Sequence, residues 1–379
     1  ELIRFPSITP VDAGIMKFLE KKLRRLGFKT KKLEFREKGF KPVKNLYARF
    51  GNKSPNLCYA GHLDVVPPGN IKDWTTNPFR PSVKKGYLIG RGANDMKSSV
   101  AAFVSAVSTF LLKNKKFNGS ISLLITGDEE GDAVNGTKKV VEFLKKKREK
   151  INFCLVGEPT NPNVLGEMIK IGRRGSLTGK LVIFGLQGHV AYPSRANNPS
   201  TIIVNILKEL KEINFDKGTK DFQPTNLEVT KININNNADN VIPAKAEATF
   251  NIRFNNRHSS NSLKKRLNKI FRKITKKHKS KFKIDYRVSG EAFLTKPNKT
   301  TFMIQNIIKK ITKLKPKLST TGGTSDLRFI RTICPGLEFG LVGKTMHKVD
   351  EAVSLKDLKN LKKIYENILK DYFKWIQRL

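Results

Sequence analysis

The sequence predicts an α/β protein whose mainly parallel central sheet is flanked by helices, with a smaller α+β domain inserted. Two observations predict this fold class. Up to about Gly175, apolar strand-like runs alternate with amphipathic helical patterns. The order then becomes β-α-β-β-α-β, the ferredoxin-like arrangement, and the first pattern resumes near Thr300. We therefore expect a discontinuous larger domain, residues 1–174 and 289–379, with residues 175–288 inserted between its parts.

The elements of the larger domain follow from capping residues and apolar spacing. Thr9 to Asp12 reads as a capping box with Pro10 at the first helical position, and Gly27 ends that helix. A second capping box at Ser354 starts the long C-terminal helix. Between them the patterns predict strands 45–50, 57–60, 120–126 and 153–156, and helices 98–112, 136–147 and 300–311.

The inserted segment has the periodicities of a small sheet covered by two helices. Alternating and apolar runs predict its strands, and apolar residues at helical spacing predict its helices. The predicted strands are 176–184, 227–233, 246–254 and 282–288, and the predicted helices are 200–210 and 262–274.

The composition is that of a basic globular protein. The chain has 379 residues, of which 38% are hydrophobic, enough for a sizeable core. No apolar run reaches the roughly 18 to 20 residues of a membrane span, so we expect no membrane association. The formal net charge is +42, but Lys and Arg are spread over nearly every predicted helix and form no single stripe. We therefore expect no nucleic-acid partner, and a positive field that attracts a small anionic substrate.

The cysteines indicate the compartment. Cys58, Cys154 and Cys334 are far apart in the sequence and form no C-x-x-C pair, so they predict buried free thiols. A reducing, cytoplasmic environment fits this usage.

Histidine and acidic residues follow several predicted strands, where ligands bind in open α/β sheets. Each has an ordinary structural explanation when taken alone: a lone histidine, a helix N-cap, or a solvated acidic turn. Together they supply nitrogen and oxygen donors without a thiolate, which suits Zn²⁺, Co²⁺ or Mn²⁺. Five such ligands with one shared carboxylate fit two ions about 3.5 to 4 Å apart. The candidates are His62, Asp64, Asp95, Glu129, Glu130, Glu158 and His347.

In their order along the chain and in their residue types, these segments resemble the co-catalytic zinc amidohydrolases of the aminoacylase and carboxypeptidase clan. The resemblance extends over the chain from about Phe5 onwards. The resemblance implies two divalent ions per subunit, zinc with cobalt or manganese as substitutes, and a cis peptide between Asn94 and Asp95. It also implies a water that bridges the ions and is deprotonated by Glu129, while Asp64 supports a histidine ligand. The implied ligands are His62, Asp95 and Glu158 for one ion, and Asp95, Glu130 and His347 for the other.

Further segments resemble a branch of the clan that acts on succinylated amino acids. They are Ile171–Ser176, Gln187–Pro193, Asn240–Pro243, Asn251–Phe254 and Thr321–Asp326. The implied reaction hydrolyses N-succinyl-LL-2,6-diaminopimelate to succinate and LL-2,6-diaminopimelate, a step of lysine and diaminopimelate biosynthesis. The substrate-binding residues implied are Arg173, Arg174, Asn240, Arg253, Gly323, Thr324 and Ser325.

The resemblance assigns a second role to the inserted domain. It implies a homodimer formed through this dimerisation and lid domain. His189 would then reach the partner subunit's active site and donate to the tetrahedral oxyanion. One departure stands out, because Gly343 occupies a position where many members carry an asparagine that contacts the substrate.

Two alternatives stay open at the level of sequence. Acetylornithine deacetylase or aminoacylase activity would use the same metal site, and only the acyl- and carboxylate-binding residues discriminate. The twin Arg173 and Arg174 favour a dicarboxylic succinyl substrate. A basic nucleic-acid-binding protein is the remote alternative.

Overall fold

The computed structural model describes residues 1–114 and 116–376, which form two compact units. Unit 1 comprises Glu1–Ile171, Thr295–Ser319 and the chain from Ser325 onwards. Unit 2 comprises Gly172–Leu294 and Thr320–Thr324, and it therefore contains the whole of the segment predicted as an insertion.

Helices and strands make up most of both units. The helices are α1 (Ile15–Arg25), α2 (Lys97–Lys113), α3 (Thr137–Lys146), α4 (Pro199–Lys211), α5 (Ser260–Lys277), α6 (Lys299–Thr312), α7 (Leu327–Ile330) and α8 (Leu355–Ile376). The strands are β1 (Lys29–Phe35), β2 (Val43–Phe50), β3 (Asn56–His62), β4 (Ser82–Lys84), β5 (Tyr87–Ile89), β6 (Ser120–Thr126), β7 (Phe153–Val156), β8 (Met168–Lys170), β9 (Gly172–Arg173), β10 (Gly175–Phe184), β11 (Gly188–His189), β12 (Asn226–Asn233), β13 (Val241–Ile242), β14 (Lys245–Phe254), β15 (Lys281–Gly290), β16 (Phe293–Leu294), β17 (Lys317–Ser319), β18 (Gly336–Glu338) and β19 (Ala352–Ser354). None of the helices in the described ranges is both long and apolar enough to cross a membrane.

An eight-stranded sheet is the centre of unit 1, in the order β1-β2-β6-β3-β7-β18-β8-β17. Its middle strands β6, β3, β7 and β18 run parallel to one another. Every residue of these strands is buried, as their nearly continuous apolar sequences predict for strands covered on both faces. The predicted α/β class with a mainly parallel central sheet is confirmed.

Unit 2 is built on a four-stranded antiparallel sheet in the order β12-β14-β10-β15. In chain order its main elements are β10, α4, β12, β14, α5 and β15, the β-α-β-β-α-β succession expected from the sequence. Alternate residues of β14 are buried and contribute, with the apolar faces of α4 and α5, to a core of their own.

The first helix begins later than its capping signal predicts. Pro10 follows a cis peptide bond and lies in a turn, and α1 starts at Ile15. The Asp12 carboxylate accepts the backbone N–H groups of Gly14 and Met16, at 3.1 and 3.2 Å. Asp12 therefore caps the helix from further upstream than the capping-box spacing implies.

Strand β1 was not predicted, because it lacks an apolar run. Its sequence is rich in lysine and only Leu33 is buried. It pairs on one side only, with β2, at the edge of the sheet. Charged residues are typical of such edges because they discourage pairing with other chains. They also remove the apolar alternation from which a strand is predicted.

The three cysteines are buried free thiols, as predicted. Cys58 and Cys154 are register partners on the adjacent strands β3 and β7. Burial raises the pKa of the Cys154 thiol well above its ordinary value, so this thiol is not a reactive thiolate.

Candidate metal centre

The candidate ligands of unit 1 lie where the central parallel strands end. His62 is the last residue of β3, and Glu129 and Glu130 follow β6 by a few residues. Glu158 follows β7 in the same way. Since neighbouring parallel strands end at the same edge of a sheet, these side chains converge, as their positions in the sequence predict.

The Asp95 carboxylate lies between two imidazoles. Its Oδ1 is 3.1 Å from Nε2 of His62, and its Oδ2 is 3.3 Å from Nε2 of His347. Asp95 is buried and closely precedes α2. A carboxylate that directs one oxygen at each of two histidines has the arrangement needed to bridge two metal ions.

Each histidine also faces a carboxylate of its own. Nε2 of His62 is 3.7 Å from Oε1 of Glu158, and Nε2 of His347 is 2.9 Å from Oε1 of Glu130. The donors thus form two sets that share Asp95. Imidazole and carboxylate donors in this number suit two divalent transition-metal ions, so the residues present fit such a pair.

The orientation of His62 is set by backbone rather than by the expected carboxylate. Its Nδ1 lies 2.9 Å from the carbonyl oxygen of Asp64 and 3.6 Å from that residue's carboxylate. An Nδ1–H donated to this carbonyl leaves Nε2 free as a ligand atom. The Asp64 carboxylate instead accepts the backbone N–H groups of Glu129 and Glu130, at 3.3 and 3.0 Å. Asp64 therefore connects the loop after β3 to the loop after β6.

Neighbouring charges favour the ionised forms of His62, His347 and Asp95. Burial lowers the pKa of His62, but the hydrogen bond to Asp95 and nearby carboxylates outweigh it and raise the pKa well above its ordinary value. Hydrogen bonds to Asp95 and Glu130 raise the pKa of His347 to about 10. Burial raises the pKa of Asp95, yet its hydrogen bonds to the two imidazoles lower it overall. Metal binding at such sites replaces the imidazole protons.

Glu129 differs from the other acids because a cation faces it. Its Oε1 is 3.6 Å from Nη1 of Arg328, and both side chains are largely buried. Distance alone would also allow Glu129 to ligate an ion together with His62 and Glu158. The guanidinium argues against this, since a fixed positive charge beside a carboxylate opposes its binding of a second cation. Burial, and next the charge of Glu158, raises the pKa of Glu129 well above its ordinary value, which increases its affinity for a proton.

Arg328 is a residue that the sequence analysis missed. It lies on α7 and only 7% of its side chain is exposed. Among the described residues, its Nε and Nη1 have no hydrogen-bond partner. The only hint in the sequence is its position, two residues beyond the glycine-rich segment that ends at Asp326.

The cis peptide near the bridging carboxylate is displaced by one residue from the expected position. It joins Asp95 to Met96, whereas Asn94–Asp95 was expected. The placement cannot be read from residue types, because neither peptide bond involves a proline.

His189 and Asn240 are neighbours in unit 2. His189 is in β11 and pairs with Val241 of β13, while the N–H of Val190 donates to the carbonyl of Asn240 at 3.0 Å. The His189 side chain is exposed.

The predicted arginines also lie in unit 2. Arg173 is buried and donates to the carbonyl of Thr321, two residues before Gly323, at 3.2 Å. Arg253 of β14 is the register partner of Ser176, two residues after Arg174. Burial, and next the charge of Arg253, lowers the pKa of Arg174. In residues 1–114 and 116–376, neither Arg174 nor Arg253 has a carboxylate within ion-pair distance.

Ser325 belongs to unit 1. Its hydroxyl donates to Glu338, and the side chain is buried. Its expected contact with the substrate, through side chain and backbone, stays a prediction.

Comparisons with known proteins identify the family of this chain. The profile of peptidase family M20/M25/M40 matches residues 58–371. The succinyl-diaminopimelate desuccinylase of Pelagibacter ubique is 76% identical, with 98% of this chain and 97% of that protein covered. That of Beijerinckia indica is 49% identical, with 98% and 97% covered. A tripeptidase from Staphylococcus aureus has the same fold, with a TM-score of 0.80 at 20% identity, covering 100% of this chain and 96% of the other.

Proposed function

The chain belongs to peptidase family M20/M25/M40, and we propose that it is a metal-dependent amidohydrolase that cleaves N-succinyl-LL-2,6-diaminopimelate to succinate and LL-2,6-diaminopimelate. The relative that is 76% identical over almost the full length is named for this desuccinylation. The reaction would serve lysine and diaminopimelate biosynthesis. The free thiols fit a cytoplasmic setting.

One observation carries the catalytic part of this proposal. The two carboxylate oxygens of Asp95 face His62 and His347 separately, and each histidine has a further carboxylate beside it. We assign one ion to His62, Asp95 and Glu158, and the other to Asp95, Glu130 and His347. Zinc suits these donors, with cobalt or manganese as substitutes. Such ions, when bound, polarise the amide carbonyl and acidify a water molecule.

Glu129 is the base in this proposal. It accepts a proton from the attacking water and returns it to the amine nitrogen as the carbon–nitrogen bond breaks. A carboxylate beside a guanidinium and outside the two ligand sets is available for this transfer. Arg328 would favour the ionised form of Glu129 before the first proton transfer and after the second.

The substrate carries three carboxylates, and guanidinium groups bind carboxylates in a planar, bidentate manner. Arg174 directly precedes β10, and Arg253 lies on the neighbouring strand β14. Neither has a carboxylate partner among the described residues, which supports a role in binding this substrate. We assign further contacts to Arg173, Asn240, Gly323 and Thr324. Ser325 is kept as a proposed contact, and its hydroxyl donates to Glu338 in the structure.

We further propose that the protein acts as a homodimer through unit 2, in which His189 donates to the oxyanion in the partner subunit's active site. The exposed side chain of His189 agrees with this role. Strand β12 is an edge strand, and unit 2 exposes several large apolar side chains that a partner can cover. These are Leu186, Val190, Tyr192, Val204 and Ile232. Analytical ultracentrifugation of wild type and Val204→Lys tests this interface, and a monomeric wild type would refute it.

The substrate is tested by parallel assays of N-succinyl-LL-2,6-diaminopimelate and N-acetylornithine, with zinc-loaded protein and with chelator-treated protein. We expect turnover of the succinyl substrate alone, its loss after chelation, and its return when zinc is restored. Arg174→Met should raise KM for the succinyl substrate more than it lowers kcat, because a carboxylate contact is lost.

A second arginine of unit 2 provides the control for this substitution. Arg272→Met changes an exposed arginine of α5 and should leave KM unchanged. Turnover of N-acetylornithine alone would overturn the substrate while keeping the metal chemistry. Turnover that persists without metal would overturn the mechanism itself.

A further inference from the structure

The Glu351 carboxylate is buried and holds the backbone of the bridging ligand. Its Oε1 accepts the N–H groups of Asn94 and Asp95, at 2.7 and 2.9 Å. Its Oε2 accepts the N–H of Gly92 at 2.9 Å and Nη1 of Arg91 at 2.8 Å. Only 1% of Glu351 is exposed, so all four donors reach it in the absence of competing solvent.

Arg91 extends this contact to two other loops. Its Nη1 also donates to the carbonyl of Lys348 at 3.2 Å, and its Nη2 donates to that of Pro67 at 3.3 Å. The guanidinium lies 5.1 Å above the ring of Trp74 and is almost completely buried. Arg91 thus joins the loop after β3 to the segment that carries His347.

The segment from His347 to Glu351 has a defined backbone of its own. His347 and Asp350 have φ of 62° and 55°, in the left-handed region that residues other than glycine rarely adopt. The Asp350 carboxylate accepts the N–H and the hydroxyl of Thr75, at 2.9 and 3.1 Å. Such a conformation persists only where surrounding contacts determine it, so His347 and Glu351 are held at a fixed separation.

We propose that Glu351 is a positioning residue of the metal centre, which holds Asp95 at a set distance from His347 and thereby sets the spacing of the two ions. The inference rests on the proposed function only for the presence of two ions and not for the substrate. A buried ion pair such as Arg91 with Glu351 does not by itself indicate function. Here two of the four donors belong to the bridging ligand and the residue before it, which connects the pair to the site.

The test is the variant Glu351→Gln. An amide in place of the carboxylate sets an N–H₂ group against one pair of donors, so the loop must shift. We expect the second Zn²⁺ to bind about 10- to 100-fold more weakly in calorimetric titration. This is the usual loss of affinity when a residue that hydrogen-bonds to a metal ligand is replaced. The visible absorption spectrum of the Co²⁺-loaded protein should change, because it reports coordination geometry. kcat should fall more than KM rises.

Glu20→Gln is the matched control. Glu20 is a buried carboxylate of unit 1 that pairs with Arg24 and Lys32 on and beside α1, away in sequence from every candidate ligand. This variant should have the same Zn²⁺ affinities and Co²⁺ spectrum as wild type. If Glu351→Gln fails to fold, Arg91→Lys is the variant to measure. Its Zn²⁺ affinity and Co²⁺ spectrum should change in the same direction but by a smaller amount.

Unchanged Zn²⁺ affinities and an unchanged Co²⁺ spectrum in a folded Glu351→Gln protein would overturn the proposal. Equal weakening of both ions, with a melting temperature far below that of Glu20→Gln, would also overturn it in favour of a general structural role. Failure of the wild type to cleave the succinyl substrate would refute the substrate assignment but would not affect these metal titrations, so the two failures are distinguishable.

Discussion

The guanidinium of Arg328 faces the Glu129 carboxylate, and this distinguishes its role from that of the ligands. Glu129→Gln should keep two bound ions, because neither assigned donor set includes it. It should lose about 10²- to 10⁴-fold in kcat, because the amide cannot accept a proton. Metal analysis and steady-state kinetics measure the two effects. Asp132→Asn, an exposed change in the same loop, is the control. Substantial residual turnover would remove Glu129 as the base.

Arg328 should act through Glu129. Arg328→Met removes the charge 3.6 Å from Glu129 Oε1 and should lower kcat about tenfold, or about 1.4 kcal/mol, without changing the metal content. Arg331→Met, at an exposed position just after α7, should have no such effect. In the Glu129→Gln background, Arg328→Met should lower kcat little further, since the interacting partner is already gone. Additive losses would show that Arg328 acts elsewhere.

At the level of elements, the segment that follows β18 packs on the backbone that leads to Glu158. A Cβ on Gly340 would lie 2.4 Å from the carbonyl oxygen of Gly157 and 2.5 Å from that of Glu158. Gly340→Ala should therefore lower the free energy of unfolding by about 1 to 3 kcal/mol and weaken metal binding at Glu158. Thermal unfolding and zinc titration measure these effects.

Gly343 offers the matched comparison in the same segment. The nearest atom to a Cβ there is Cβ of Pro159 at 3.5 Å, an ordinary contact. Gly343→Ala should leave stability and metal affinity unchanged. Equal effects of the two alanine variants would mean that close approach of Gly340 to the Glu158 backbone is not what makes glycine necessary.

The Asp216 carboxylate accepts hydrogen bonds from separate segments of unit 2. Burial raises the pKa of its carboxyl, but hydrogen bonds from Thr225, Gly218, Asn255 and His258 outweigh this and lower it from 3.8 to about 2. Because the folded-state pKa is depressed, the stabilisation is present above about pH 4 and is lost as the pH falls towards 2. Asp216→Asn should lower the free energy of unfolding by about 2 kcal/mol at neutral pH.

Urea unfolding as a function of pH checks this expectation. The difference between wild type and Asp216→Asn should be constant from about pH 5 to pH 7 and shrink below about pH 4. Asp239→Asn, an exposed substitution in the same unit, should behave like wild type. A difference that does not vary with pH would assign the stabilisation to hydrogen-bond geometry alone.

At the scale of the whole molecule, a net charge of +42 makes the folded chain repel itself. Salt shortens the Debye length from about 30 Å at 0.01 M to about 8 Å at 0.15 M, so it should weaken this repulsion. The melting temperature should therefore rise by several degrees over that range, equally in NaCl and KF at matched ionic strength. A fall in melting temperature would show that surface ion pairs outweigh the repulsion.

The sequence by itself determined the fold class and the identity of the candidate ligands. Burial can be recognised in the local sequence. A strand covered on both faces is a continuous apolar run, and the apolar residues of a half-buried helix recur about every 3.6 residues. The ligands follow such runs directly, so His62, Glu130 and Glu158 could be placed at one edge of a sheet before any contact was known. Strand β1 was missed because it is an exposed, lysine-rich edge strand and therefore has no apolar pattern.

Only the tertiary structure decided which atoms meet. It directs one oxygen of Asp95 to each histidine, uses the carbonyl of Asp64 where its carboxylate was expected, and brings Arg328 to Glu129. Glu351 was visible as a residue close to His347 in the sequence, but its hold on the Asp95 backbone spans 256 positions of the chain. Contacts at such separation depend on how the two segments pack and on the rotamer of each side chain, which neither periodicity nor motif spacing encodes.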